Sequence, residues 1–219
     1  MRKRAYLFGR DMIWPQVARR YMKTFERARA ERRHFAAAEF AIKPLDKRAW
    51  ELPPLKLDHL RHLTDDTGIL QHAIFTTPNY SEGYTTDDNA RALMVSMLLE
   101  ELGNKEAVEM ATRYLAFTWY AFNSETKRFR NFMDYQRNWL EESGSDDSHG
   151  RALWALGTVL GRSTMPTLHN MAARVFQQSL LAILETTSPR AWAFALIGIY
   201  EYLQRFAGDR RVTQVQEEL

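Results

Sequence analysis

The sequence holds no cysteine, so neither a disulfide framework nor a thiolate metal site is open to it. Long apolar runs are also missing. The longest, such as Ala191 to Tyr200, fall far short of a bilayer's thickness. Met1-Arg2-Lys3-Arg4 is basic, but no apolar signal core follows before Asp11 and Pro15, so the default expectation is a cytoplasmic protein with no membrane span. Neither a glycine-rich phosphate loop nor a Gly-x-Ser-x-Gly elbow occurs. The six histidines are scattered at His34, His59, His62, His72, His149 and His169. His59 and His62 stand one helical turn apart, but nothing places a third ligand, so neither metal nor cofactor is expected.

What is present suits a packed core: 45% of residues are hydrophobic and 12% aromatic. The net charge of +3 hides an asymmetry. Residues 1–34 carry eleven Lys/Arg against Asp11, Glu26 and Glu31, whereas the remainder carries 19 basic and 24 acidic residues. A basic arm on an acidic body raises nucleic acid or an anionic membrane surface as a partner. The arginines are spread around a helix instead of interleaving with stacking aromatics, so they read as a solvated or docking face and not as a nucleic-acid site.

Prolines, glycines and short polar residues punctuate the chain. Asp11 and Pro15 mark the start of a basic helix with the stripe Ile13, Val17, Tyr21, Phe25 and Ala28. It fades near Arg33. Lys43-Pro44 through Pro53-Pro54 resists helix. The chain therefore reads as a basic helix over 1–35, a linker over 36–56 and a helical domain over 57–219. In that domain a short helix carries Leu57, Leu60 and Leu63 and is stopped by Gly68. Residues 69–85 are irregular. Thr86 caps a helix from Asp87 to Leu102, closed by Gly103. Asn104 caps the next, to about Phe122. Phe129 to Tyr135 reads as a short strand or extended excursion. Asp146-Asp147-Ser148 opens a helix ending at Gly161, Pro166 or Thr167 starts one to about Glu185, and Ser188-Pro189 starts another that ends before Gly208. A last helix begins at Asp209.

These helices come in pairs, and an internal echo runs through them. Asp87-Asp88-Asn89-Ala90-Arg91-Ala92-Leu93 matches Asp146-Asp147-Ser148-His149-Gly150-Arg151-Ala152-Leu153, with Ser188-Pro189-Arg190-Ala191-Trp192 a fainter copy. The Arg-to-Arg steps are 60 and 39 residues, and a step near 40 fits one helix–turn–helix unit. Alternate helices of such a stack run parallel, so Asp87, Asp88, Asp146 and Asp147 are expected at one rim. One Asp of each pair can cap its helix. The other is then free to face a pocket, where two carboxylates work as acid and base, or acid and nucleophile, across a glycosidic bond. Glu82, Tyr84, Asn89, Arg91, Arg130, Asn131, Trp139, His149 and Arg151 are the candidate sugar contacts, with Trp154 and Trp192 as stacking faces or core. Arg91 and Arg151 equally suit pairing with the aspartates of a neighbouring repeat.

Ala5-Tyr6-Leu7-Phe8-Gly9-Arg10-Asp11-Met12-Ile13-Trp14-Pro15 through Tyr21 resembles the last stretch of a GT-B-type glycosyltransferase, where a C-terminal helix packs back across the two lobes. From Leu57 onward, Leu63-Thr64-Asp65-Asp66-Thr67-Gly68, Gly83-Tyr84-Thr85-Thr86-Asp87-Asp88-Asn89-Ala90-Arg91 and Gly144-Ser145-Asp146-Asp147-Ser148-His149-Gly150-Arg151 are similar to the rim motifs of (α/α) toroid proteins. That fold is shared by glycoside hydrolases, lyases and sugar epimerases, and such a domain follows glycosyltransferases in some bacterial fusion proteins. The resemblance implies an all-α array of antiparallel helical hairpins like an incomplete (α/α)6 toroid, and a chain that is part of a larger polypeptide. It also implies a carbohydrate-active domain associated with a glycosyltransferase, hydrolase-like if catalytic. Its partners would be an oligosaccharide and a glycosyltransferase domain. The competing reading is a non-catalytic module that holds or positions a transferase. Three hairpins leave apolar flanks at both ends of the array, and self-association is expected from them.

Overall fold

The computed structural model describes residues 9, 12–34 and 55–219, and the chain divides into two compact units, Met1–Pro54 and Leu55–Leu219. The Asp11 cap and nearly all of the expected 36–56 linker lie outside the described residues.

In the first unit, α1 spans Trp14–His34. It starts on the Ile13 carbonyl, which accepts from the amides of Gln16 and Val17. Proline suits this first turn because its missing amide would have no partner there. The apolar stripe is open: Ile13, Tyr21 and Phe25 are each more than half exposed. Along the helix Tyr21 packs on Phe25 and Arg27 pairs with Glu31 at 2.7 Å, both four residues apart.

The second unit begins with α2 (Asp58–Leu63), followed by the antiparallel strands β1 (Ala73–Ile74) and β2 (Thr77–Pro78) and a 3-10 turn, Tyr80–Glu82. β3 (Tyr84–Thr85) leads directly into α3 (Thr86–Glu101), and α4 (Ala107–Ala121) follows. β4 (Phe132–Met133) lies on the excursion between α4 and α5 and pairs antiparallel with β3, Tyr84 opposite Met133 and Thr85 opposite Phe132. Then come α5 (Asp146–Arg162), α6 (Pro166–Ser179), a 3-10 helix (Leu180–Glu185), α7 (Pro189–Arg205) and α8 (Arg210–Glu218). Helices make up 66% of the described residues, so the fold is mostly helical with two minor two-stranded sheets. The helix expected to reach Glu185 in one piece changes to 3-10 geometry after Ser179.

α3, α5 and α7 lie side by side, with α4 and α6 packed behind them and α8 against α7. The three are parallel. Arg162, at the end of α5, reaches Glu101 at the end of α3 (3.2 Å) and Glu201 near the end of α7 (2.7 Å). Arg151 and Arg190 tie together the opposite, N-terminal ends. Between the two layers Leu93, Met97, Leu153, Leu156, Val159, Phe176 and Ile199 are fully buried.

Glycine sets how closely α5 and α7 approach. A Cβ on Gly157 would stand 2.1 Å from the Gly198 carbonyl oxygen, one on Gly161 2.2 Å from that of Glu201, and one on Gly150 2.4 Å from that of Ala191. The contacts rise together along both helices, which fixes them as parallel and backbone to backbone. Gly161 is thus a packing residue inside α5 and not its stop. Gly68 is likewise no helix stop. α2 ends at Leu63, and the absent side chain of Gly68 makes room for Asn89, whose Oδ1 a Cβ would approach to 2.3 Å.

Candidate functional site

The N-terminal ends of α3, α5 and α7 form the rim, and local chemistry positions each of them. Neither aspartate of either pair is a cap. Thr85 Oγ1 accepts from the Asp88 amide (3.1 Å) and Ser145 Oγ from the Ser148 amide (3.2 Å), one residue earlier than the expected starts. The β4 excursion satisfies the other leading amides of α3. The Asn131 carbonyl accepts from Thr86 N and its Oδ1 from Asp87 N. Four carboxylates in first helical turns are left for other partners, in a place where the helix dipole favours negative charge.

Arginines take all four. Asp87 pairs with Arg91 on its own helix and with Arg151 on the next. Asp88 is held by Thr85 Oγ1 (2.6 Å) and Arg91 (3.3 Å). Asp147 pairs with Arg190 of α7 and accepts from Ser188 Oγ (3.1 Å). Asp146 turns the other way, to Arg128 (2.6 Å) and the Thr187 amide (3.3 Å). A register emerges in which the arginine of each helix reaches the aspartate of the one before it, Arg151 to Asp87 and Arg190 to Asp147. Of the two roles open to Arg151, it fills the pairing one. Arg91 folds back on its own helix.

This pairing sets the protonation of the rim. The Arg128 guanidinium holds Asp146 below the usual carboxylate value, and Arg190 does the same for Asp147 despite partial burial, which opposes it.

The expected sugar contacts divide by exposure. Asn89 is fully buried, its amide spent on the Ile69 amide (2.9 Å) and the Thr85 carbonyl (2.8 Å). Asn131 is buried and committed to α3. Tyr84 is buried and donates to Asp65 Oδ2 (2.5 Å); burial and that carboxylate push its pKa upward. His149 is fully buried beside Phe129. The Ser179 backbone lies near its ring, but neither ring nitrogen makes a well-formed hydrogen bond, and burial, with Arg128 close by, pushes its pKa down to about 3. These four build the scaffold under the rim, and no sugar reaches them without rearrangement. Arg130 pairs with Glu142 (3.1 Å) and lies 5.9 Å over the half-buried ring of Trp139. Glu82 is exposed on its 3-10 turn. Trp154 stacks on Phe194, and the Arg151 guanidinium lies 4.2 Å over the Phe194 ring.

Sequence reasoning missed Arg128, Arg190 and Ser188 as rim partners. Arg190 and Ser188 left a trace, in the fainter third copy of the echo, and Arg128 left none. No group of three or more His, Asp or Glu able to hold a metal occurs among the described residues, and no described helix is long and apolar enough to cross a membrane. Comparison of the sequence with protein-family models and with curated proteins finds no match.

Proposed function

We propose that residues 57–219 act as a non-catalytic helical module that holds or positions a glycosyltransferase, with the charged rim serving as a clamp between repeats. One observation carries this reading: each rim aspartate is engaged by an arginine. Acid–base cleavage of a glycoside needs one carboxyl kept protonated near neutral pH. Guanidiniums at Asp146 and Asp147 act in the opposite sense. The parallel α3, α5 and α7 backed by α4 and α6 support reading the domain as an arc of an (α/α) toroid, and the uncovered stripe on α1 suits a helix made to dock.

The test is a pair of substitutions, Asp87→Asn and Asp147→Asn, assayed two ways. Both should lower the melting temperature, and the unaltered protein should hydrolyse no chromogenic glycoside above the uncatalysed rate. Hydrolysis by the unaltered protein that Asp147→Asn abolishes, with the fold intact, would restore the enzymatic reading.

A further inference from the structure

The two faces of α1 suit different surroundings. Residues three and four apart share one side of a helix, which puts Trp14, Val17, Tyr21, Met22 and Phe25 together. Trp14 is 83% exposed, and Tyr21, Met22 and Phe25 are 60%, 58% and 58% exposed. Tyr21 stacks on Phe25 with ring centroids 6.2 Å apart, so the apolar area is continuous from one turn to the next. Arg19, Lys23 and Arg27, each one turn from the next and each exposed, occupy the opposite side. Along its 21 residues the helix carries seven Lys/Arg against Glu26 and Glu31, and Glu31 is paired with Arg27 at 2.7 Å.

From this arrangement we infer that α1 lies along the surface of an anionic lipid bilayer, with its aromatic face at the boundary of the acyl chains and its cations among the headgroups. The helix lies on the bilayer and does not cross it, since no described helix is long and apolar enough to do so.

Charge and side-chain type favour this occupant over a groove in another protein. The cations run from Arg19 to Arg33, about 21 Å of helix at 1.5 Å per residue. A planar field of lipid phosphates meets such a line along its whole length. A groove that seated the stripe would leave Arg19, Lys23 and Arg27 in water, where they add nothing to docking. Arg29 follows Phe25 by one turn on the apolar side. A protein groove would have to bury its charge, whereas at a bilayer the stem lies in the apolar layer and the guanidinium reaches the phosphates. Val17 is the sole branched aliphatic side chain of the helix, so α1 lacks the interlocking Leu and Ile that pair one helix with another. The amphipathic rings of Trp14 and Tyr21 match the headgroup level instead. A second copy of α1 is disfavoured by like charge. The inference concerns residues 14–34 alone and stands whether residues 57–219 position a transferase or act on a glycan.

The full chain is sedimented with vesicles of phosphatidylcholine, alone or with about one-third phosphatidylglycerol, beside a vesicle-free control for self-association. At low salt it should pellet with the anionic vesicles and not with the neutral ones, and about 0.5 M salt should release most of it. Tyr21→Ser combined with Phe25→Ser, and separately Arg19→Glu combined with Lys23→Glu, should each weaken partitioning about tenfold or more. The melting temperature should stay in place in both variants, because none of these side chains is buried. Failure to pellet with anionic vesicles, equal pelleting with neutral ones, or undiminished binding by the Tyr21 and Phe25 variant would overturn the inference. So would docking of α1 on an acidic protein surface by a chain that ignores the vesicles.

Discussion

α1 and α5 are helices of similar length, 21 and 17 residues, with opposite fates. α1 carries the more obvious apolar stripe, yet none of its described side chains is buried. α5 opens with Asp146-Asp147-Ser148-His149-Gly150-Arg151 and buries eleven residues. An apolar stripe only states that a helix has something to cover. What lets a helix be surrounded is the smallness of the residues where neighbours arrive, and α5 supplies Gly150, Gly157 and Gly161 on the side that meets α7. Its charged residues gather at its two ends, where Arg151 and Arg162 bind acids of the flanking helices.

The most severe way to break this contrast is Gly157→Leu. Its Cβ alone would overlap the Gly198 carbonyl, so α5 and α7 must separate. Destabilisation of about 3 kcal/mol or more is expected, read by urea unfolding. Loss of Arg151 comes next. Its side chain and that of Asp87 are only 17% and 24% exposed, so Arg151→Ala leaves a poorly solvated carboxylate and should cost about 2 kcal/mol.

A pH series tests the buried start of α5. His149 is fully buried with its pKa depressed to about 3, so below the unfolded value of 6.5 the unfolded chain binds a proton that the folded one refuses. Stability is therefore whole above pH 6.5 and falls as the pH drops from there toward 3. Between pH 7 and 5 the loss should be about 2 kcal/mol, and His149→Leu should flatten that slope. The smallest effect belongs to α1. Phe25→Ser or Arg27→Ala should change the unfolding free energy by less than about 0.5 kcal/mol, because Phe25 is already more than half exposed and the Arg27–Glu31 pair is open to solvent.

How much of this was legible in the sequence depended on how local the signal was. Ser188-Pro189, Gly103 and the Asp209 start read correctly because a cap or a left-handed glycine acts within one turn. The aspartate–arginine echo pointed to equivalent helix starts, and those starts do lie together. Caps were misplaced by one residue at Thr85 and Ser145, since neighbouring hydroxyls and carboxylates compete for the same amides. Gly68 and Gly161 were misread because a glycine that ends a helix and one that admits a neighbour look alike in one dimension. Arg128 was unreadable as a partner of Asp146, because only the fold of the excursion brings it within 2.6 Å.

The clamp reading of the rim stands most directly on the ionisation of Asp146 and Asp147. Carboxyl-carbon NMR across an acid titration measures both. The account requires each to titrate below the ordinary aspartate value of 3.8, because Arg128 and Arg190 stabilise the charged forms. A midpoint for either carboxyl near neutral pH would contradict it, since such a group would be a proton donor in working condition and the rim an acid–base site after all.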